Sequence, residues 1–242
     1  MSELTTVEGM QSEIYVPITP KSVWTDVTKE LKNMTVGLAT AAGVHLKDQD
    51  KFNLAGDFSL REIPGDIDPS ELMVTHGGYD QGDVNKDINC MFPIERMQEL
   101  VEEGFIKGVA PVNVGFMGGG GDQEKFKKET GPKAAEIFSE HEVDAVLLTA
   151  GWGTCHRSAV IVQRAIESVG IPTIIIAALP PVTRQAGSPR AVAPKVPMGA
   201  NAGAPNDPEM QTSIIKDTLE QMIEIETPGK IVDLPYEYTA KV

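Results

Sequence analysis

The sequence is poor in cysteine and in positive charge. Its 242 residues include 2 cysteines, Cys90 and Cys155, and 21 lysines and arginines against 35 acidic residues, for a formal net charge of −14. Binding to nucleic acid or to an anionic membrane surface requires a cationic face, so neither partner is expected. Two cysteines far apart in the sequence of a protein in a reducing compartment are usually free thiols rather than a structural disulfide.

Targeting signals and metal motifs are also lacking. Residues 1–15 have neither the basic stretch nor the apolar core of a signal peptide, and the longest apolar run, around 174–179, is too short to span a bilayer. We therefore expect a cytoplasmic protein. The two cysteines and 4 histidines do not have the spacing of a zinc site, so no metal is expected.

Short apolar runs without alternation recur along the chain and predict strands that are covered on both faces. Amphipathic segments between them predict helices, for instance over 94–105 and over 156–170, where the helix closes on Gly170. Strands that alternate with helices are typical of a doubly wound α/β fold with a mainly parallel sheet and helices on both faces. We expect one domain over residues 1–242. The predicted strand regions are 35–44, 72–78, 109–119, 143–151 and 171–179.

Ligands of such sheets collect beyond the carboxyl ends of the strands. That rule selects the loops at 75–80, 116–122 and 150–156 and a Pro-rich segment at 179–207. The Pro-rich segment is too long and too weakly periodic for a regular element, which predicts a long loop that serves as a lid or partner contact, or else a mobile connection. Its basic residues could meet a carboxylate or could simply be exposed. They are Arg184, Arg190 and Lys195.

Cys155 is the first candidate for chemistry. It lies between a predicted strand end and a predicted helix start, where backbone N–H groups and the helix dipole would stabilise a thiolate. His156 and Arg157 could add positive charge beside it. The alternative is a buried, inert cysteine at a tight turn.

Two further loops carry polar or glycine-rich patterns. His76, Tyr79 and Asp80 follow a predicted strand and could bind a substrate or a partner, take part in acid–base chemistry, or cap a turn. The glycine run at 118–121 could cradle an anion with its N–H groups. It lacks the spacing of a dinucleotide fingerprint or a P-loop, which favours a flexible or close-packed loop.

The segment TAGWGTCHRS at 149–158, supported by residues 91–121, resembles the selenoprotein subunits of glycine, sarcosine, betaine and D-proline reductases. By its length and by similarity along essentially the whole chain, the protein resembles the D-proline members of this family in particular. The family motif is selenocysteine-Gly-Thr-Cys, and the chain matches it at Gly153, Thr154 and Cys155 while Trp152 occupies the selenocysteine position. The UGA codon of selenocysteine differs from the tryptophan codon by one base, so a substitution or a translation convention could place Trp there; a natural structural tryptophan is the alternative. An indole has no ionisable chalcogen, so the Trp152 form is expected to be inactive.

The resemblance implies an oxidoreductase subunit that opens the ring of D-proline to 5-aminovalerate. A pyruvoyl group on a separate partner subunit would activate the amine, a selenolate at position 152 would attack the α-carbon, and Cys155 would attack selenium and release the product. An external electron-donor protein would then reduce the selenide–sulfide bond. Apart from selenium at position 152, the resemblance implies no cofactor in this chain.

Two other functions stay open at this point. A racemase-like α/β enzyme would use Cys90 and Cys155 as paired acid and base, although no glycine-bracketed turn surrounds Cys90. A non-catalytic scaffold subunit would instead bind its partner through 179–207.

Overall fold

The computed structural model describes residues 23–239, so residues 1–15, on which the expected localisation partly rests, lie outside the described part. Between residues 23 and 239 no helix combines the length and the apolarity needed to cross a membrane. The strands of this part are β1 (Thr35–Thr40), β2 (Val44–Leu46), β3 (Arg61–Pro64), β4 (Leu72–Val74), β5 (Gly108–Val109), β6 (Val112–Gly115), β7 (Ala145–Thr149), β8 (Thr173–Ile176), β9 (Arg190–Lys195) and β10 (Lys230–Glu237). The α-helices are α1 (Ile94–Glu102), α2 (Gln123–Lys125), α3 (Gly131–Glu140), α4 (Gly153–Ser168), α5 (Pro180–Ala186) and α6 (Pro208–Glu224).

The main sheet has the strand order β10-β9-β8-β7-β1-β6-β3, and β5 also pairs with β1. Its strand pairs are parallel apart from β3 with β6, which is antiparallel. The predicted doubly wound, mainly parallel α/β fold is confirmed. The prediction that 72–78 contributes a strand to this sheet is wrong, because β4 pairs with β2 in a separate antiparallel ribbon.

Gly43 makes that ribbon possible. It follows β1 with a φ of 75°, and a Cβ at this position would lie 2.3 Å from the carbonyl oxygen of Thr75. Only glycine combines this left-handed backbone with so close an approach. The chain therefore turns out of β1 into β2, and the ribbon delivers the loop after β4 to the carboxyl end of β1.

The two faces of the sheet bury different side chains of the same strands. Val36 and Leu38 of β1 belong to one hydrophobic cluster, and Ala39 belongs to the other. This alternation follows from the period of two along a strand. Helices α1 and α6 contribute to the first cluster and α3 and α4 to the second, so helices cover both faces.

The Pro-rich segment 179–207 contains regular structure, so the expectation of one long loop is wrong. Pro180 and Pro181 occupy the first turn of α5, where a missing N–H costs no hydrogen bond. The following β9 is held between β8 and β10, and its apolar residues are buried. What remains irregular is the stretch 196–207.

A buried ion pair ties four parts of the chain together. Arg190 Nη1 lies 2.8 Å from Glu167 Oε1, with side-chain exposures of 1% and 0%. Glu167 also accepts hydrogen bonds from the N–H groups of Thr173 and Thr25, at 2.8 and 2.6 Å. The guanidinium of Arg190 lies 3.5 Å from the ring centroid of Trp24. The guanidinium of Arg190 is thus buried against Glu167 and Trp24, and the expectation that it could bind a ligand carboxylate is wrong.

Candidate active site

The motif at 152–155 lies where the order of the strands reverses. Strand β1 pairs with β6 on one side and with β7 on the other, and the chain crosses from β6 to β7. At such a switch point open α/β sheets leave a crevice beyond the carboxyl ends of their strands, where ligands bind. The loop after β7 carries Trp152, and α4 begins at Gly153.

Three loops meet at Cys155. This residue is fully buried in the first turn of α4, and its Sγ lies 2.9 Å from Nε2 of His76, which is 79 residues away in the sequence. Gly118 closes the site from the loop after β6. A Cβ at Gly118 would lie 2.6 Å from the Cα of Cys155. Gly118, the first residue of the glycine run, is therefore close-packed, whereas Gly120 and Gly121 are exposed.

A hydrogen bond from the backbone fixes the tautomer of the His76 ring. The backbone N–H of Gly78 donates to Nδ1 at 2.9 Å, so the proton of the neutral ring must be on Nε2. Burial lowers the pKa of His76 to about 4, which keeps the ring neutral at pH 7. Nε2–H therefore donates to the sulfur of Cys155. With both nitrogens engaged inside the protein, His76 has no ring nitrogen left for a substrate in this arrangement.

The thiol of Cys155 is protonated at neutral pH. Burial raises its pKa to about 12, which outweighs the opposite effect of polar groups nearby, foremost the backbone N–H of Trp152. The expectation of a resting thiolate at the helix start is wrong, because desolvation of the charged form outweighs the N–H groups at the end of the helix.

Trp152 is the outer residue of the motif. It precedes α4 with extended backbone angles of φ −143° and ψ −178°, and its side chain is partly exposed. The indole lies over Gly78, since a Cβ there would be 2.5 Å from Cε3 of Trp152 and 3.0 Å from Cε1 of His76. Position 152 therefore faces the same loop that holds the ring next to Cys155.

Tyr79 and Asp80 have different surroundings. The hydroxyl of Tyr79 donates to the carbonyl oxygen of Ala42 at 2.9 Å, and its ring centroid lies 4.9 Å from that of His76. Burial raises the pKa of Tyr79, so its hydroxyl stays protonated. Asp80 is exposed and accepts a hydrogen bond from the N–H of Gly82 at 2.8 Å. Tyr79 forms part of the site wall, and Asp80 has the turn-capping role that its sequence context allows.

His156 is a structural link rather than a source of charge. Its Nδ1–H donates to the carbonyl oxygen of Trp152 at 2.7 Å, and its Nε2 accepts from the N–H of Leu179 at 3.3 Å. Burial lowers the pKa of His156 to about 4, so the predicted positive charge beside Cys155 is wrong for this residue. Arg157 is partly buried in α4, and Arg184 is exposed in the last turn of α5.

Sequence reasoning missed the link between His76 and Cys155 and the part played by Gly118. It did select both loops, because they follow apolar runs. The residue types alone do not indicate that one histidine and one glycine contact the same cysteine.

Gly118→Ala is expected to lower the free energy of unfolding by about 1–3 kcal/mol, because the new methyl group would meet backbone that cannot move aside. A Cβ at Gly119 would meet only the flexible Cε of Met117, at 3.7 Å. Gly119→Ala is therefore the matched control, with an expected change within about 0.5 kcal/mol. Urea unfolding followed by circular dichroism measures both values. Equal losses in the two variants would contradict the close packing of Gly118.

Cys90 does not complete this site. It belongs to the hydrophobic cluster of α1 and α6, whereas Cys155 belongs to the cluster of α3 and α4. The Sγ of Cys90 lies 4.0 Å from the carbonyl oxygen of Asp83, and burial raises the pKa of its thiol. A racemase that pairs the two thiols as acid and base finds no support in this arrangement.

The chain is similar to subunits of amino-acid reductases. It is 72% identical over 242 residues to D-proline reductase subunit gamma of Acetoanaerobium sticklandii, which covers 100% of both chains. Glycine reductase complex component B subunit gamma of Carboxydothermus hydrogenoformans is 28% identical over 84% of this chain and 48% of its own length. Sarcosine reductase complex component B subunit beta of Peptoclostridium acidaminophilum is 28% identical over 76% of this chain and 43% of its own length. The chain spans about half the length of the latter two relatives. No solved structure matches it significantly.

The profile of the family described as glycine/sarcosine/betaine reductase selenoprotein B matches residues 4–151. The match stops one residue before Trp152, so the profile itself assigns no role to Trp152 or Cys155. It nevertheless covers more than half of the chain, including β1, β6 and β7 and the loop of His76. Together with the full-length relative, this match shows that the chain belongs to the glycine/sarcosine/betaine reductase selenoprotein B family.

Proposed function

We propose that the chain is the selenoprotein subunit of a D-proline reductase and that the chemistry takes place at position 152 and Cys155. The observation that carries the proposal is the 72% identity to a D-proline reductase subunit over the full length of both chains. The placement of the 152–155 motif at the switch point of the sheet supports it, because ligands of open α/β sheets bind at that place.

Position 152 suits the nucleophile, and Cys155 suits the resolving thiol. The outer position is partly exposed and can meet a substrate, whereas the sulfur of Cys155 is fully buried. The high pKa of Cys155 keeps the thiol protonated and unreactive until an adduct forms beside it. Selenocysteine is smaller than tryptophan and would leave room over Gly78 for a five-membered ring.

The proposed reaction conserves atoms and electrons. With selenocysteine at position 152, attack by its selenolate would form a C–Se bond and break the C–N bond, and the nitrogen would keep the electron pair and take up a proton. Attack by Cys155 on selenium would form an Se–S bond and break the C–Se bond, and the carbon would take up a proton that balances the one lost by the thiol. A pyruvoyl group of a partner subunit, when present, supplies a carbonyl that withdraws electrons from the amine. An external donor protein returns two electrons by reducing the Se–S bond.

The segment from Pro180 to Asp207 is proposed to form part of the wall of the active cleft or of the contact with the pyruvoyl subunit. Its entry is bonded to the motif, since the N–H of Leu179 meets His156. Its irregular stretch packs on the same wall, because a Cβ at Gly199 would lie 2.7 Å from the carbonyl oxygen of Asp80 and 2.9 Å from Cδ2 of Tyr79. Arg184 is exposed on this segment and can offer positive charge to a substrate carboxylate or an acidic partner.

The chain with selenocysteine at position 152 is expected to form no 5-aminovalerate from D-proline on its own, and to form it once the pyruvoyl subunit and a dithiol reductant are added. The reason is that the amine-activating carbonyl belongs to another polypeptide. Chromatographic detection of 5-aminovalerate measures the outcome, and the partner subunit alone is the control. Turnover by the isolated chain would overturn the assignment of the carbonyl to the partner.

A further inference from the structure

We infer that His76 serves the reaction as a hydrogen-bond donor to the sulfur of Cys155, and not as the base that removes its proton or as a ligand of the substrate. The inference rests on the proposed function and adds a residue to the same site. It assigns a direction to the contact between Nε2 and Sγ at 2.9 Å.

The direction follows from the other side of the ring. A backbone N–H can only donate, so Nδ1 of His76 must accept the hydrogen bond from Gly78 and cannot carry the proton. The neutral ring then carries its proton on Nε2, which faces Cys155. To act as a base toward the thiol, Nε2 would have to be unprotonated and Nδ1 would have to face the Gly78 N–H with a proton of its own.

The groups around the His76 ring would not stabilise its positively charged, doubly protonated form. Tyr79 packs against it with a protonated hydroxyl, Trp152 covers Gly78 beside it, and Cys155 is a thiol at rest. Within residues 23–239, no carboxylate is hydrogen-bonded to His76. A buried ring without a counter-ion stays neutral. His76 therefore has one proton to offer along a hydrogen bond and little capacity to take up a second.

A donor in this position acts when negative charge develops on the sulfur. As Cys155 attacks selenium, its sulfur passes through a state with thiolate character in a site from which water is excluded. A fixed donor is worth more there than in water, and the backbone N–H of Trp152 near the sulfur acts in the same direction. One hydrogen bond to a charged group is expected to change the thiolate population by about 10- to 100-fold.

The test compares two replacements of His76 in a chain that carries Trp152→Ser. Serine uncovers the site, caps the helix and introduces no second thiol. In His76→Gln the side-chain amide keeps an N–H near the place of Nε2 and removes the titratable group. His76→Leu fills similar space and has no donor. Rates of alkylation of Cys155 by iodoacetamide are measured at pH 8 by peptide mass spectrometry.

Two controls distinguish the loss of the hydrogen-bond donor from a general destabilisation of the fold, which would also change the alkylation rate. Cys90 is a buried thiol in the same chain and serves as the internal reference for each sample. His141→Gln changes a histidine at the end of α3, which lies outside the site. The reported quantity is the ratio of the alkylation rates of Cys155 and Cys90, so a variant that opens globally is recognised by its faster labelling of Cys90.

We expect the ratio to stay within about 3-fold of the parent in His76→Gln and in His141→Gln, and to fall about 10- to 100-fold in His76→Leu. Equal losses in Gln and Leu would assign the histidine as a base and overturn the inference. An unchanged ratio in Leu would overturn it as well, since the contact would then be packing alone. If the Leu variant unfolds, the Gln variant still decides between donor and base. Because the assay requires no turnover of D-proline, its result is independent of whether the proposed function holds.

Discussion

With tryptophan at position 152, the assembled reductase is expected to turn over D-proline at least about 10³-fold more slowly than with selenocysteine there. The indole N–H is only a donor and cannot form a bond to carbon or to the sulfur of Cys155. Deleting a covalent nucleophile from an enzyme costs roughly 10⁴- to 10⁶-fold, and binding and positioning supply the residual rate. Assembly with the partner is expected to survive, since Trp152 precedes α4 and its side chain packs against the hydrophobic core while it stays partly exposed.

The measurement compares four forms of the chain in the same reconstituted complex, with selenocysteine, cysteine, serine or tryptophan at position 152. Cysteine should recover part of the activity, because a thiol ionises less readily than a selenol but follows the same chemistry. Serine has nearly the same shape as cysteine but no redox chemistry, so the form with serine should be as inactive as the form with tryptophan. Co-purification with the partner subunit monitors assembly. A rate for the Trp152 form comparable with that of the selenium form would show that position 152 is not the nucleophile.

Arg190→Met is expected to lower the free energy of unfolding by about 3–5 kcal/mol, the largest effect on stability that we anticipate for a single side chain. Removal of the guanidinium leaves the carboxylate of Glu167 buried without its cation, and Glu167 is 0% exposed. The interaction with the ring of Trp24 is lost at the same time. The double variant Arg190→Met with Glu167→Leu should be less damaging than Arg190→Met alone, because no unpaired buried charge remains.

Urea unfolding at pH 7 measures these differences. Lys133→Ala is the matched control, since it removes an ion pair to Glu136 whose side chains are 54% and 53% exposed. Exposed pairs of this kind contribute about 0–1 kcal/mol. If Arg190→Met lowers the free energy of unfolding no more than Lys133→Ala does, the buried ion pair does not stabilise the packing of Trp24, Thr25 and β9 against α4.

Much of the fold was predictable because apolar periodicity is a local property. The runs around Leu147 and Ile175 are unbroken because both faces of the sheet are covered, and they correspond to β7 and β8. The helix that follows Cys155 was predicted to close on Gly170, and α4 ends at Ser168. The region 72–78 does contain a strand, β4, but its assignment to the main sheet was wrong, and so was the long loop at 179–207, for a related reason. Periodicity does not tell which strand a short segment pairs with, or whether prolines fall at the first turn of a helix.

The sequence by itself determined the motif, its place after a buried strand and, through the family resemblance, the kind of chemistry to expect at position 152 and Cys155. Only the tertiary structure decided that His76 meets the sulfur, that Gly118 backs it, that His156 is neutral and that Arg190 is an internal cation. The physical reason is that residue type gives a side chain its possible charges and hydrogen bonds. Burial and partners that are distant in the chain, such as His76 for Cys155, select which of these is realised.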